Sequence, residues 1–83
     1  MESALVPLVV PLLGTAMDEV AVSRWLVTVG DAVRRGDPVV EIEAAKATSE
    51  LEAPVDGVVT AIHVAEDAEV EVGQLLAEFQ ERS

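Results

Sequence analysis

Slid against itself by 37 positions, the chain aligns Val20 to Glu43 with Gly57 to Gln80. Val22 then falls on Val59, Val27 on Val64, Val33 on Val70, Gly36 on Gly73 and Glu41 on Glu78. A glycine three residues after a valine recurs in both copies, so the repeat duplicates a turn as well as a composition. Both copies are strand-forming. Apolar and polar residues alternate at Val20 and Val22, at Val40 and Ile42 between Glu41 and Glu43, and at Leu51 between Glu50 and Glu52, which is the pattern of half-buried strands. Turn-forming clusters at Gly30-Asp31, Arg35-Gly36-Asp37-Pro38, Pro54-Val55-Asp56-Gly57, Glu66-Asp67 and Val72-Gly73 keep each segment short, and no window carries the period of a long amphipathic helix. Two similar four-strand halves are expected to pack as facing sheets, in an all-β sandwich or barrel.

The repeat leaves a central stretch that reads as a β-hairpin: Val39 to Glu43, then Ala44-Ala45-Lys46-Ala47, then Thr48 to Ala53. With the four central residues as the turn, Ile42 faces Ser49 and Val40 faces Leu51 on the inner side, while Glu41 and Glu50 pair on the outer side. Lys46, the only lysine of the chain, is placed at the apex between small side chains. A lone primary amine there suits enzymatic acylation, although an exposed lysine in a turn is ordinarily a solvated charge. This hairpin is expected to link the two copies at one end of the molecule, with the termini at the other.

Composition narrows the function. Eighty-three residues with 51% hydrophobic side chains suffice for one small aliphatic core, and a single domain is expected over 1–83, its core at about 6–80. The absence of cysteine removes disulfides, thiolate metal sites and a cysteine nucleophile. A net charge of −11 repels phosphate backbones and anionic bilayers, so neither nucleic acid nor membrane is an expected partner. The apolar run Ala4 to Leu13 is broken by Pro7 and Pro11 and is too short to span a bilayer. The acids are dispersed, as on the solvated faces of strands.

VVPLLGTAMDEV, WLVTVGDAVRRGDPVVEIE and AKATSELEAPVDGVV together resemble the lipoyl domains of dihydrolipoyl acyltransferase components of 2-oxo acid dehydrogenase complexes, within the biotinyl/lipoyl-attachment family. The resemblance runs from about Val6 to Phe79. It implies a flattened β-barrel or sandwich of two four-stranded antiparallel sheets with pseudo-twofold symmetry, in agreement with the repeat. It implies a non-catalytic swinging-arm carrier with lipoic acid in amide linkage to Lys46, Ala45 and Ala47 flanking the site in the turn. Lysine stem and lipoyl chain together make a tether on the order of 10–15 Å. The partners implied are a lipoate-attaching enzyme, a thiamine-diphosphate-dependent decarboxylase component, an acyltransferase core and dihydrolipoyl dehydrogenase. The compartment implied is the bacterial cytoplasm, or the mitochondrial matrix in a eukaryote. Recognition by partners is expected at Gly14, Thr15, Ala16, Met17, Asp18 and Glu19, in the loop that the family places beside the modification tip, and at Glu43 and Glu50 on the hairpin.

Three positions depart from the family pattern. Ala45 stands where aspartate usually precedes the modified lysine, Val20 where a glycine opens the second strand, and Asp67 where a turn glycine is usual; aspartate tolerates the left-handed conformation better than most residues. The biotin-carrier branch places methionine on both sides of its lysine, whereas this chain has alanines, so biotin on Lys46 is the alternative cofactor. An unmodified structural module of the same shape is a third reading. Single residues have plainer readings still. His63, the only histidine, reads as a surface or partly buried strand residue without the companions a metal site needs. Trp25 reads as a core anchor between the sheets.

Overall fold

A computed structural model describes residues 4–11, 20–44 and 47–82. Eight strands follow in order: β1 (Leu5–Val9), β2 (Val20–Trp25), β3 (Ala32–Val33), β4 (Pro38–Ala44), β5 (Ala47–Glu52), β6 (Gly57–Ile62), β7 (Glu69–Val70) and β8 (Leu75–Glu81). They form two four-stranded antiparallel sheets, ordered β1-β8-β6-β3 and β5-β4-β2-β7. This is the all-β, two-sheet architecture expected, but the sheets are not the two halves: β3 of the first copy pairs with β6 and β7 of the second pairs with β2, so each sheet takes one short strand from the other copy.

The duplication extends to individual backbone bonds. Val22 N–H donates to Ala68 O (2.9 Å), and its equivalent 37 residues on, Val59 N–H, donates to Asp31 O (2.9 Å). Leu26 N–H to Val39 O (2.9 Å) is repeated by His63 N–H to Leu76 O (2.8 Å), and Gly30 N–H to Val59 O (2.8 Å) by Asp67 N–H to Val22 O (2.7 Å). The strand bulges are duplicated too, between Val22 and Arg24 in one half and between Val59 and Ala61 in the other. So are the turns. Gly30 (φ 100°) corresponds to Asp67 (φ 70°), and Gly36 (φ 95°) to Gly73 (φ 86°). Asp67 therefore occupies the left-handed conformation that the sequence assigned to it, at a cost that aspartate bears better than a branched residue.

The first and fifth strands obey a different offset. Leu8 pairs with Ala77 in β1–β8, and Leu51 with Val40 in β4–β5, so β1 and β5 are equivalent at a shift of 43. The connection from β1 to β2 is six residues longer than that from β5 to β6, which accounts for the change. Gly73 N–H to Val10 O (2.8 Å) and Gly36 N–H to Ala53 O (3.0 Å) confirm the correspondence. A groove between β1 and β5 is lined by Leu8, Val9 and Pro11 on one side and by Leu51, Glu52 and Pro54 on the other. These are equivalent pairs, so the groove straddles the pseudo-twofold axis.

The inward residues of both sheets meet in one core, and they too come in pairs: Val22 with Val59, Val33 with Val70, Val39 with Leu76, Val40 with Ala77, and Ile42 with Phe79. Volume is exchanged across the pairs, with Ala77 small where Val40 is larger and Leu76 large where Val39 is smaller, which fills the interior without strict symmetry. Each fully buried large side chain contributes roughly 1.5–3 kcal/mol relative to exposure. Trp25 packs against this core as an anchor, though from its margin. It lies half-buried at the margin of this core, with its indole N–H donating to Val64 O (2.7 Å) and its backbone N–H to Glu66 Oε2 (2.9 Å). It is a clasp between the end of β2 and the segment after β6, because a buried indole needs an acceptor that the aliphatic centre lacks.

Candidate functional site

β4 and β5 are built by alternation. In β4, Val40 and Ile42 are fully buried while Glu43 is exposed; in β5, Leu51 is buried between exposed Glu50 and Glu52. The observed register is the expected one: Val40 with Leu51, Glu41 with Glu50, Ile42 with Ser49, Glu43 with Thr48 and Ala44 with Ala47. A slip of one residue would put the carboxylates into the core, so the hydrophobic pattern enforces this pairing. With Ala44 paired to Ala47, only Ala45 and Lys46 join the two strands.

Ala45 and Lys46 lie outside the described residues, and so do Gly14, Thr15, Ala16, Met17, Asp18 and Glu19. The hairpin brings together the remaining sequence candidates Glu43, Ala47 and Glu50, all exposed. Beneath the joining residues runs a row of small aliphatics, Ala47–Ala44–Val20–Val70, one from each strand of the sheet. The next row is Thr48–Glu43–Ala21–Glu69. Glu69, which sequence reasoning did not single out, thereby shares a row with Glu43 across Ala21. Its signal was its place on a two-residue edge strand next to β2, invisible without the strand order.

The outer face of this sheet is acidic. Glu41 and Glu50 are direct cross-strand neighbours, an arrangement that like charges disfavour, with Arg24 opposite Glu41 on its other side. Among the described residues, His63 Nε2 and Glu78 Oε1 are hydrogen-bonded at 2.9 Å on the other sheet. His63 stands just past the end of β6, exposed on the surface. No group of three or more His, Cys, Asp or Glu among the described residues is placed to hold a metal ion. None of the described polar or charged residues is buried.

For a covalently attached acid, the chemistry needed is an amine. Lys46 supplies the only lysine amine in the chain, and the strands on either side end in alanines, so the residues fit such a group.

Comparison with known proteins agrees with this geometry. Residues 6–79 match the biotin/lipoyl attachment family, described as a biotin-requiring enzyme family. The chain is 42% identical over 71 residues to the dihydrolipoyllysine-residue acetyltransferase component of the pyruvate dehydrogenase complex of Mycobacterium bovis, covering 86% of this chain and 13% of that protein. It is 36% identical over 76 residues to the dihydrolipoyllysine-residue succinyltransferase component of the 2-oxoglutarate dehydrogenase complex of Rickettsia conorii, covering 92% of this chain and 19% of that one. The chain thus spans less than a fifth of the length of these relatives. Its structure matches the solution structure of the lipoyl domain of the Azotobacter vinelandii 2-oxoglutarate dehydrogenase complex with a TM-score of 0.78 and 30% identity, covering 93% of this chain and 98% of the other. A single-chain, multi-domain long-chain acyl-CoA carboxylase matches equally well, at a TM-score of 0.78 with 22% identity over 95% of this chain and 7% of the other, a likeness of fold alone. Family match, relatives and two-sheet architecture converge: the chain belongs to the biotinyl/lipoyl-attachment family, as a non-catalytic carrier domain homologous to the lipoyl domains of dihydrolipoyllysine acyltransferase components.

Proposed function

We propose that this chain is a swinging-arm domain, lipoylated on Lys46, that serves a 2-oxo acid dehydrogenase-type complex. The observation that carries this reading is the position of the chain's one lysine between the paired Ala44 and Ala47 of a hairpin, in a domain whose relatives are named for a dihydrolipoyllysine residue. Lipoic acid, when bound, supplies a dithiolane that carries acyl groups and reducing equivalents. The chain's own contribution is presentation. Lys46 would hold the group as an amide of its Nζ, a linkage that removes the positive charge of the lysine. β4 and β5, locked in register by Val40, Ile42 and Leu51, hold the attachment point at the end of a stiff ladder. Attachment to one domain raises the effective concentration of the carried group at each active site it visits.

The partners in this reading are a lipoate-attaching enzyme, a thiamine-diphosphate-dependent decarboxylase, an acyltransferase core and dihydrolipoyl dehydrogenase. The setting is the bacterial cytoplasm, or the mitochondrial matrix in a eukaryote. Incubation with a lipoate-attaching enzyme, lipoic acid and ATP tests the reading by intact mass. The chain gains one lipoyl group and Lys46→Arg gains none. A lipoyl group retained by Lys46→Arg, or an adduct only with a biotin-attaching enzyme, contradicts it.

A further inference from the structure

The pseudo-twofold frame lets the molecule serve as its own comparison. β1 and β5 occupy equivalent places, each the outermost strand of its sheet. The phase of β1 is set by Ala4 O accepting from Glu81 N–H (2.9 Å) and by Val10 N–H donating to Gln74 O (3.0 Å). Backbone groups alternate sides along an antiparallel strand, so those of Leu5, Pro7 and Val9 point away from the sheet. Ala53 N–H donates to Asp37 O (2.8 Å), and the same alternation turns the groups of Thr48, Glu50 and Glu52 outward from β5. Among the described residues, β5 pairs with β4 alone.

The two edges, unpaired among the described residues, differ in chemistry. Proline has no N–H, so Pro7 deletes the central outward donor of β1, a common way of blunting an edge. Its equivalent Glu50 leaves the donor in place. Leu5, Pro7 and Val9 are matched on β5 by Thr48, Glu50 and Glu52, all exposed, with Glu43 beside them on β4. At the Glu52 end the edge borders the groove it shares with Leu8, Val9 and Pro11. β5 therefore offers a complete ladder of donors and acceptors bordered by carboxylates, and it begins at the residue after Lys46.

We propose that the outer edge of β5, from Thr48 to Glu52, is a docking edge for an extended, lysine- or arginine-bearing segment of the lipoate-attaching enzyme, which adds as a fifth strand to sheet β5-β4-β2-β7. The inference rests on the reading of Lys46 as the attachment residue. Backbone bonds along the edge supply affinity and register, while Glu50 and Glu52 select cationic side chains at alternate positions of the incoming strand. Those carboxylates also oppose pairing of this edge with a second copy of the same acidic chain.

Two measurements test it with the lipoate-attaching enzyme as probe. Glu50→Pro transplants the solution β1 already uses at Pro7, and it removes no bond to β4 because the Glu50 N–H points away from that strand. Its lipoylation should fall at least about tenfold in kcat/KM, on the scale of losing one charge-assisted contact. The double variant Glu50→Gln, Glu52→Gln should lose rate at low salt and approach the parent at high salt. Hydrogen exchange on the unaltered chain removes any dependence on how the variants fold: adding the attaching enzyme should slow exchange at the Thr48, Glu50 and Glu52 amides and leave Leu5 and Val9 unchanged. Lipoylation of Glu50→Pro at the parental rate, or unchanged exchange at those three amides, overturns the docking edge. A parent chain that accepts no lipoyl group overturns instead the assignment of Lys46 on which it rests.

Discussion

Gly57 and Val20 are equivalent residues with opposite demands. A Cβ on Gly57 would stand 2.2 Å from the carbonyl oxygen of Gln80, so β6 and β8 approach each other there more closely than any side chain permits. At the equivalent place Val20 is buried beside Ala44 and Val70 and closes the core beneath the hairpin end. The glycine absent from the second strand was thus legible as a departure, whereas its consequence, an extra buried valine under the candidate site, required the structure. Gly57→Ala should destabilise the fold by roughly 2–3 kcal/mol, because the obstacle is backbone and cannot rotate away. Thermal or urea unfolding of the variant checks this, and stability within a few tenths of a kcal/mol of the parent would show that the two strands can separate freely.

At the scale of elements, the β4–β5 hairpin was readable down to its register, since a one-residue slip would turn Val40, Ile42 and Leu51 outward and the short connection disfavours larger ones. The place of β1 was not readable. A self-alignment at 37 cannot detect that β1 and β5 correspond at 43, because the longer connection before β2 shifts the phase. The acceptor of the Trp25 indole was not readable for a related reason: Val64 O is 39 residues away, and no local pattern announces it. The hairpin also carries the departure with the most direct functional consequence, Ala45 in place of an acid. Attachment depends on presenting the amine, whereas reductive acylation requires a second protein to grip the tip, where a carboxylate could add a charge-assisted bond of about 1.5–3 kcal/mol. Ala45→Asp should therefore leave lipoylation nearly unchanged and improve acyl loading by a conventional 2-oxo acid decarboxylase component. Parallel assays of both rates decide the matter; a strong effect on lipoylation with none on loading would assign residue 45 to the attaching enzyme.

Across the whole molecule, sixteen acids against five basic residues surround a small aliphatic core, and one sheet carries Glu41 directly opposite Glu50. Screening acts over about 10 Å at 0.1 M salt, within reach of these neighbours. The melting temperature should rise by a few degrees between very low and moderate ionic strength; an unchanged or lower value would mean that local attractions involving Arg24, Arg34 and Arg35 outweigh the repulsion. Lys46 is the one lysine of the sequence, and the proposed function rests on its acylation. Mass analysis of the protein isolated from its native host, with the modified peptide sequenced, tests that claim most directly. A single lipoyl amide on Lys46 is the predicted result, and a biotinyl group there, or a chain that carries no modification at Lys46, would contradict it.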